Sequence, residues 1–215
     1  MKKLILPLLL LVAFGMLAAV ESAPSEVVGY VKYDLVASRN NMIALPMVQS
    51  YAMASDVGNA IPGCTAVRWY DATVPAWKSC TKTLGQWPAA TNFAVENGDP
   101  LQVYTTTAGS FFSIGPLPAS PLPTYTLVAA RNNMIMVPLD QSALNMASLV
   151  GNSIPGCTAV RWYDATLPAW KSCTKTLGQW PAATNFATEI GDPLQVYTTT
   201  AGTWPAPPAP LLKSK

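Results

Sequence analysis

The sequence predicts a mostly β protein made of two tandem near-identical modules, each with one short helix and each clamped by a disulfide. Residues 33–109 and 125–202 are nearly the same sequence, and the segment from Ile61 to Gly109 recurs with only three differences. Short apolar segments separated by Gly, Pro and Asn turns favour strands in each copy. The four cysteines fall two to a copy at equal spacing. Duplication of this kind favours a chain that presents one surface twice, or that is a unit of an array, over an enzyme with one asymmetric site.

The N-terminus predicts export. Lys2 and Lys3 precede an uncharged apolar run, Leu4–Val20, and small residues follow it, which is the layout of a secretory signal peptide. We expect cleavage between Ala19 and Ala23. The alternative is an uncleaved anchor, because the run is close to the shortest that spans a bilayer. After cleavage the chain is expected to be secreted, extracellular or at the cell surface, with no membrane segment left.

The first half of each module is expected to contain two strands and the helix. A lead at 24–32, with Val27, Val28 and Tyr30, has a strand-like pattern and precedes module 1. A short helix is predicted near 143–150, where apolar residues follow a helical spacing and Gly151-Asn152 provides a stop. The strands of this half are predicted, with an Arg-Asn-Asn turn between the two of each module, at 33–37, 42–47, 125–129 and 134–139.

The second half of each module is expected to form two hairpins. Side chains alternate along Thr65–Asp71, so that Val67 and Trp69 share one face of a strand. A turn at 72–76 would return the chain with Cys64 opposite Cys80. The last hairpin is predicted from 92–96 and 101–106, because Asn-Gly-Asp-Pro between them is a strong turn signal.

The cysteines are expected to form disulfides, since an exported chain meets an oxidising compartment. Four cysteines allow three pairings, and duplication favours the two within modules, because each ancestral module folded alone. A metal site lacks support, because the chain contains no His. No metal and no cofactor is therefore expected. The predicted pairs are Cys64 with Cys80 and Cys157 with Cys173.

Composition narrows the class of partner. Only 11% of residues are charged, against roughly 25% in ordinary soluble domains. Removal of Lys2 and Lys3 would leave the mature chain nearly neutral. A nucleic acid partner is not expected, because it would need a basic surface. Few charges and a net charge near zero favour association instead.

No catalytic constellation is expected, and the protein is not predicted to be an enzyme. Asp71 with Asp99, or Asp164 with Asp192, could form a carboxylate pair for glycoside cleavage. We expect each of these to cap its own turn instead. No Gly-x-Ser-x-Gly motif and no His is present to build a serine nucleophile.

Tryptophans are the better binding candidates, because exposed aromatic rings bind sugar faces. Trp69 and Trp162 are expected to be buried, since a small β module needs large side chains in its core. The tryptophans beside prolines and turns are the candidates for exposure, and they are Trp77, Trp87, Trp170 and Trp180.

The order Asn-Met-Ile-Ala-Leu-Pro, short helix, Ile-Pro-Gly, Val-Arg-Trp-Tyr-Asp and Gly-Asp-Pro-Leu-Gln-Val-Tyr resembles a β-rich module of secreted and surface proteins of environmental bacteria. In that module Trp-Asn-Leu-Ile-Ser-Leu-Pro is followed by Trp-Asp and a Gly-containing turn. This chain has Asn-Asn-Met-Ile instead of Trp-Asn-Leu-Ile, and it adds the cysteines. The resemblance covers both copies and implies an extracellular architectural or adhesive role.

The leading hypothesis is a secreted structural subunit of a filament, sheath or surface layer, whose partners are copies of itself. A carbohydrate-binding or adhesive surface protein, with polysaccharide as partner, is the alternative. Both chain ends are expected to dock on neighbouring subunits, the lead by strand addition and the tail by packing of Trp204. A translational or screw relation between modules is expected. The predicted organisation is signal peptide 1–23, lead 24–32, module 1 at 33–109, Pro-rich linker 110–124, module 2 at 125–202 and Pro-rich tail 203–215.

Overall fold

The computed structural model describes residues 28–118 and 123–205, and over this part the chain is mostly β with two similar halves. The predicted signal peptide, Val27 and the tail beyond residue 205 lie outside the described residues. The predicted β-rich duplication is confirmed.

Both halves repeat the same order of elements. The first contains β1 (Val28–Leu35), β2 (Arg39–Ala44), α1 (Ala54–Ala60), β3 (Cys64–Asp71), β4 (Ala76–Thr81), a 3₁₀ turn (Ala89–Thr91), β5 (Pro100–Thr105) and β6 (Gly109–Pro116). The second contains β7 (Tyr125–Leu127), β8 (Arg131–Met136), α2 (Ala147–Ser153), β9 (Cys157–Asp164), β10 (Ala169–Thr174), a 3₁₀ turn (Ala182–Thr184), β11 (Pro193–Thr198) and β12 (Gly202–Trp204).

Each half is built on a four-stranded antiparallel sheet, in the order β2-β5-β3-β4 or β8-β11-β9-β10. One face of the first sheet buries Ile43, Val67 and Leu101 completely, and Val57 of α1 is buried in the same apolar cluster. The second sheet repeats this core around Ile135. Apolar residues at every second position of the central strands therefore form one core in each module.

The cysteines do not form the predicted disulfides. Asp71 pairs with Ala76 across the β3–β4 turn, so Cys80 lies opposite Val67. Cys64 instead lies opposite Thr105 of β5, before an irregularity in the register of β3. Cys64 would face Cys80 only if the hairpin were centred on Ala72, and the observed turn is centred later, between Thr73 and Val74. All four cysteines are free and buried, and Cys157 and Cys173 repeat this arrangement.

The predicted linker 110–124 begins as a strand. β6 pairs along its whole length with β1, from Val28 opposite Pro116 to Leu35 opposite Gly109. We call this pair the ribbon. One edge of β1 is therefore paired within its own chain, so strand addition to a neighbour would have to use the other edge of β1, and it stays a prediction. In module 2 the equivalent pair, β7 and β12, is only three residues long. It is flanked by Pro123 and Pro205, which have no backbone N–H to donate.

Two predicted local structures are wrong. Residues 92–96 form no strand and make only a single bridge, between Ala94 and Met53. Arg39–Asn41 is not a turn but the start of β2. The turn before it contains Ser38 at a φ of 55°. Asn41 is buried and holds this turn from inside the sheet, since its side chain accepts from the Val36 N–H and donates to the Val36 carbonyl.

The two modules face each other through reciprocal contacts. The Tyr33 hydroxyl donates to the Gly191 carbonyl at 2.9 Å, and the Tyr125 hydroxyl of module 2 donates to the Gly98 carbonyl at 2.8 Å. Contacts between β2 and β9 are matched in the same way by contacts between β8 and β3. Such an exchange of equivalent contacts is the property of a two-fold axis. The expected translational or screw relation is therefore wrong.

Candidate functional site

Two clefts lie where the modules meet, and each is lined by residues of both. The first has a volume of about 270 Å³ and is lined by Trp69, Tyr70, Asp71 and Asp99 of module 1 with Tyr125 of module 2. The second, of about 300 Å³, repeats this set with the roles of the modules exchanged. Its equivalent residues are Trp162, Tyr163, Asp164, Asp192 and Tyr33. The two-fold relation thus gives one chain two chemically similar sites.

The two aspartates of each cleft hold their own turns, as predicted. Asp71 accepts from the Thr73 N–H at 2.9 Å and also from the Thr73 hydroxyl. Lys78 lies 3.0 Å from the other oxygen of Asp71. Asp99 accepts from the Glu96 N–H at 2.8 Å. Both carboxylates are thus engaged in turns.

The surroundings of the two carboxyl groups move their pKa values in opposite directions. Hydrogen bonds from Thr73 and then from Lys78 lower the pKa of Asp71 to about 2. Burial raises the pKa of Asp99 to about 6, and the negative charge of Glu96 acts in the same direction. Asp164 and Asp192 show the same contrast in the second cleft. At neutral pH all four are charged, but Asp99 and Asp192 take up a proton in mildly acidic solution.

Trp69 was predicted to be buried, but it is half-buried: it packs against the apolar cluster of module 1 and also lines the cleft. The Lys78 ammonium lies 4.8 Å from the centre of its ring, which covers one side of the indole with a cation. Trp162 and Lys171 repeat this arrangement.

The predicted tryptophan platforms are half-buried, and they belong to two different environments. The ring of Trp87 lies against Gly58 of α1, and its N–H donates to Asn59 at 2.8 Å. Lys82 lies 4.9 Å from the ring centre. Trp87, and equally Trp180, is therefore packed on its own module rather than held out as a platform.

Trp77 lies beside the cleft. It faces Tyr70 across the β3–β4 pair, with ring centres 5.3 Å apart in an edge-on arrangement. Trp170 and Tyr163 do the same in module 2. Since Tyr70 lines the cleft, this half-exposed aromatic pair forms part of its rim.

The predicted contact residues of the chain ends also separate into two groups. Trp204 is buried, stacks on Tyr125 and donates to Ser153 at 3.0 Å, so it anchors its own module and not a neighbouring subunit. Val28 and Tyr30 instead lie on the outer face of the ribbon, where they remain 60% and 68% exposed. Val27 lies outside the described residues.

Sequence reasoning missed half of this outer face. Phe112 and Ile114 of β6 lie on it, 44% and 57% exposed, because alternate residues of two paired strands share a face. Tyr30 lies opposite Ile114, and its ring centre is 6.3 Å from that of Phe112. The alternation of apolar residues in Ser110–Pro116 was a visible signal, hidden by the prolines that follow it.

Within the part of the chain that the structure describes, no three His, Cys, Asp or Glu residues come together as a metal site. None of the described helices has the length and apolar character needed to cross a membrane. A scan against protein-family models and searches of curated proteins and solved structures found no match to this chain.

Proposed function

We propose that this chain is an exported structural subunit that associates with copies of itself through the outer face of the ribbon. The observation that carries the proposal is the exposed apolar strip formed by Val28, Tyr30, Phe112 and Ile114. Contiguous exposed apolar surface of this kind marks interaction sites. The assembly would be a filament, sheath or surface layer outside the cell.

The partner is a second copy because the strip is suited to pair with itself. Lys32 and Asp34 at one end of the same face are joined by an ion pair at 2.7 Å, and Ser110 donates to Asp34 at 2.9 Å. The polar end is thus satisfied within the chain, and the apolar end is not covered by any described residue. Two ribbons that meet by a two-fold axis would bury both strips and leave both ion pairs in water, and the resulting dimer would be the repeating unit of the assembly.

The low charge of the chain supports the same proposal. Charged residues make up 11% of the sequence, so electrostatic repulsion between copies is weak. One charged residue, Lys32 of β1, lies directly opposite an aromatic residue of the strip, which is Phe112 of β6. Among the described residues of this face only Lys32 and Asp34 are charged, so charge repulsion opposes self-association little.

Expression of the full chain, with its N-terminal segment, tests this proposal. Protein recovered from the medium should sediment as dimers and larger species whose proportion rises with concentration. Tyr30→Ser together with Ile114→Ser should leave a folded monomer, because the strip loses two of its four apolar side chains. Leu84→Ser is the matched control, since Leu84 is fully exposed on a distant turn. Retention inside the cell, or sedimentation of the double variant like the parent, would reject the proposal.

Polysaccharide binding is the second candidate, and the two clefts favour it. Each cleft combines aromatic rings with carboxylates, which are the groups that bind sugar rings and their hydroxyls. Two sites in one chain would add avidity toward a polymer. The Trp77→Ala and Trp170→Ala double variant should lose binding to insoluble cellulose or chitin, whereas Leu84→Ser should retain it. If the parent chain fails to bind either polymer, this candidate is excluded for those two glycans.

A further inference from the structure

We propose that module 1 of one chain also pairs with module 2 of another, when chains fold together at high concentration or when the connection between the modules hinders closure, through the contacts that join the two modules within a single chain. This inference does not depend on the ribbon contact proposed above. It concerns a different surface, the contact between the two modules, which is buried within a single chain.

The contacts between modules are made by residues that both modules share. Tyr33 and Tyr125 are equivalent, and each donates its hydroxyl to the equivalent glycine of the other module, Gly191 or Gly98. The approach is close at both glycines. A Cβ added to Gly98 would lie 2.5 Å from Pro123, and one added to Gly191 would lie 3.1 Å from Val31. The pairing surface is therefore specific, and every copy of the chain carries it twice.

The pairing favours unlike modules. Met136 of module 2 is buried in the apolar cluster of module 1, where its own counterpart, Ala44, also lies. Only one of the two modules therefore contributes a large side chain to the other's core. Two copies of module 1 would lack this side chain at their contact, and two copies of module 2 would bring it twice. A module 1 thus selects a module 2, of its own chain or of another.

Pairing within one chain is favoured over pairing between chains only because the two modules are covalently connected. β6 ends at Pro116 and β7 begins at Tyr125, so the tether is short. A short tether gives an effective concentration in the millimolar range. Pairing between chains would compete when the local concentration of other copies approaches this effective concentration. It would also compete when the tether hinders closure of the two modules on each other.

An opened chain presents two pairing faces. Two opened chains that satisfy each other form a closed dimer by exchange of modules. Chains that each pair with two different neighbours form a linear array instead, with one chain added per step. The same contacts that close the monomer would thus extend an assembly.

Shortening the tether tests the inference. The experiment uses the full mature chain in the Tyr30→Ser, Ile114→Ser background, which removes the ribbon association. Deletion of residues 119–122 should convert monomers into dimers and longer species, seen by light scattering after size exclusion. Replacement of the same residues by Gly-Ser-Gly-Ser is the length-matched control and should remain monomeric. A folded, monomeric deletion variant would overturn the proposal.

A second measurement uses the undeleted tether, in case the deletion prevents folding. Two versions of the chain with different affinity tags are unfolded together and refolded at high concentration. Capture of one tag should recover the other. Tyr33→Phe with Tyr125→Phe should leave this recovery unchanged, because the closed monomer and the exchanged dimer contain the same hydrogen bonds between modules. Absence of mixed species in the Tyr30→Ser, Ile114→Ser background would overturn the inference. Loss of recovery only in the ribbon variant would assign the association to the ribbon instead.

Discussion

Asp99 and Asp192 are the residues whose protonation changes in the mildly acidic range. Burial raises both pKa values to about 6 from the ordinary 3.8, so the folded state binds these protons more tightly than the unfolded chain. The stability they contribute is therefore fully present near pH 4 and is lost as the pH rises to about 6. Asp71 and Asp164 act in the opposite sense. Their pKa values lie at about 2, so their contribution is present above pH 4 and is lost below it.

We predict that the free energy of unfolding is greater at about pH 5 than at about pH 7. Urea titrations at several pH values measure this. Asp99→Asn with Asp192→Asn should remove most of the difference, because an amide cannot ionise but still accepts the turn hydrogen bond. Asp71→Asn with Asp164→Asn should keep it. A parent protein with equal stability at both pH values would contradict the assignment.

The cysteines give a second prediction at the scale of residues. Burial raises the pKa of Cys64 and of Cys157 to about 11, so both are protonated and shielded at pH 8. Burial also raises the pKa values of Cys80 and Cys173. Iodoacetamide should add no label to the folded protein and four labels after unfolding in guanidinium without reductant. Labels that appear on the unfolded protein only after reduction would show that the cysteines are paired.

The ribbon is the element that distinguishes module 1 from module 2. β6 approaches the chain segment after β2 closely, and the Val48 N–H donates to the Pro116 carbonyl at 3.0 Å. A Cβ added to Gly115 would lie 2.1 Å from the Val48 carbonyl oxygen, so only glycine fits there. The strip of exposed apolar side chains depends on this attachment, because it fixes the ribbon against the module.

Gly115→Ala should therefore displace the end of the ribbon. We expect a loss of about 1–3 kcal/mol in the free energy of unfolding, the usual range for overpacking. Gly109→Ala, in the same strand, is the matched control. A Cβ at Gly109 meets no atom within 4 Å, and this substitution should be close to neutral. Equal destabilisation by the two substitutions would contradict the packing described for β6.

Prediction from sequence succeeded where interactions between residues close in the chain determine the local structure. The alternation in Thr65–Asp71 marks β3, and the Asp71 and Asp99 turns follow from short-range hydrogen bonds. It failed where partners lie far apart in the chain. Nothing local shows that β6 returns to β1, or that residues 92–96 stay outside the sheet. Which residue lies opposite Cys80 depends on where the β3–β4 turn is centred, and an error in that position shifts every cross-strand pair.

At the scale of the whole molecule, the clefts could not be predicted, because they exist only where two modules meet. Each cleft takes residues from both, and Trp69 faces it because the second module covers that side of the sheet. The near-identity of the two module sequences predicted that the same surface occurs twice. It did not predict the two-fold relation between the modules, since identical modules can equally be related by a screw axis.

The two-fold relation predicts equal effects at equivalent positions. Tyr33→Phe and Tyr125→Phe should each lower the free energy of unfolding by about 1 kcal/mol, since each removes one hydrogen bond between modules. Chemical denaturation of the two single variants and the double variant measures this. A large effect of one substitution with none of the other would contradict the reciprocal interface.

The most direct test of the central claim is to map where copies of the chain touch. Hydroxyl-radical footprinting of the full mature chain, at concentrations below and above the onset of association, reports the solvent exposure of single side chains. We predict that modification of Tyr30, Phe112 and Ile114 falls as association proceeds, while modification of Leu84 stays constant. Association with no change in the modification of the ribbon residues would contradict the claim that the ribbon is the surface through which copies meet.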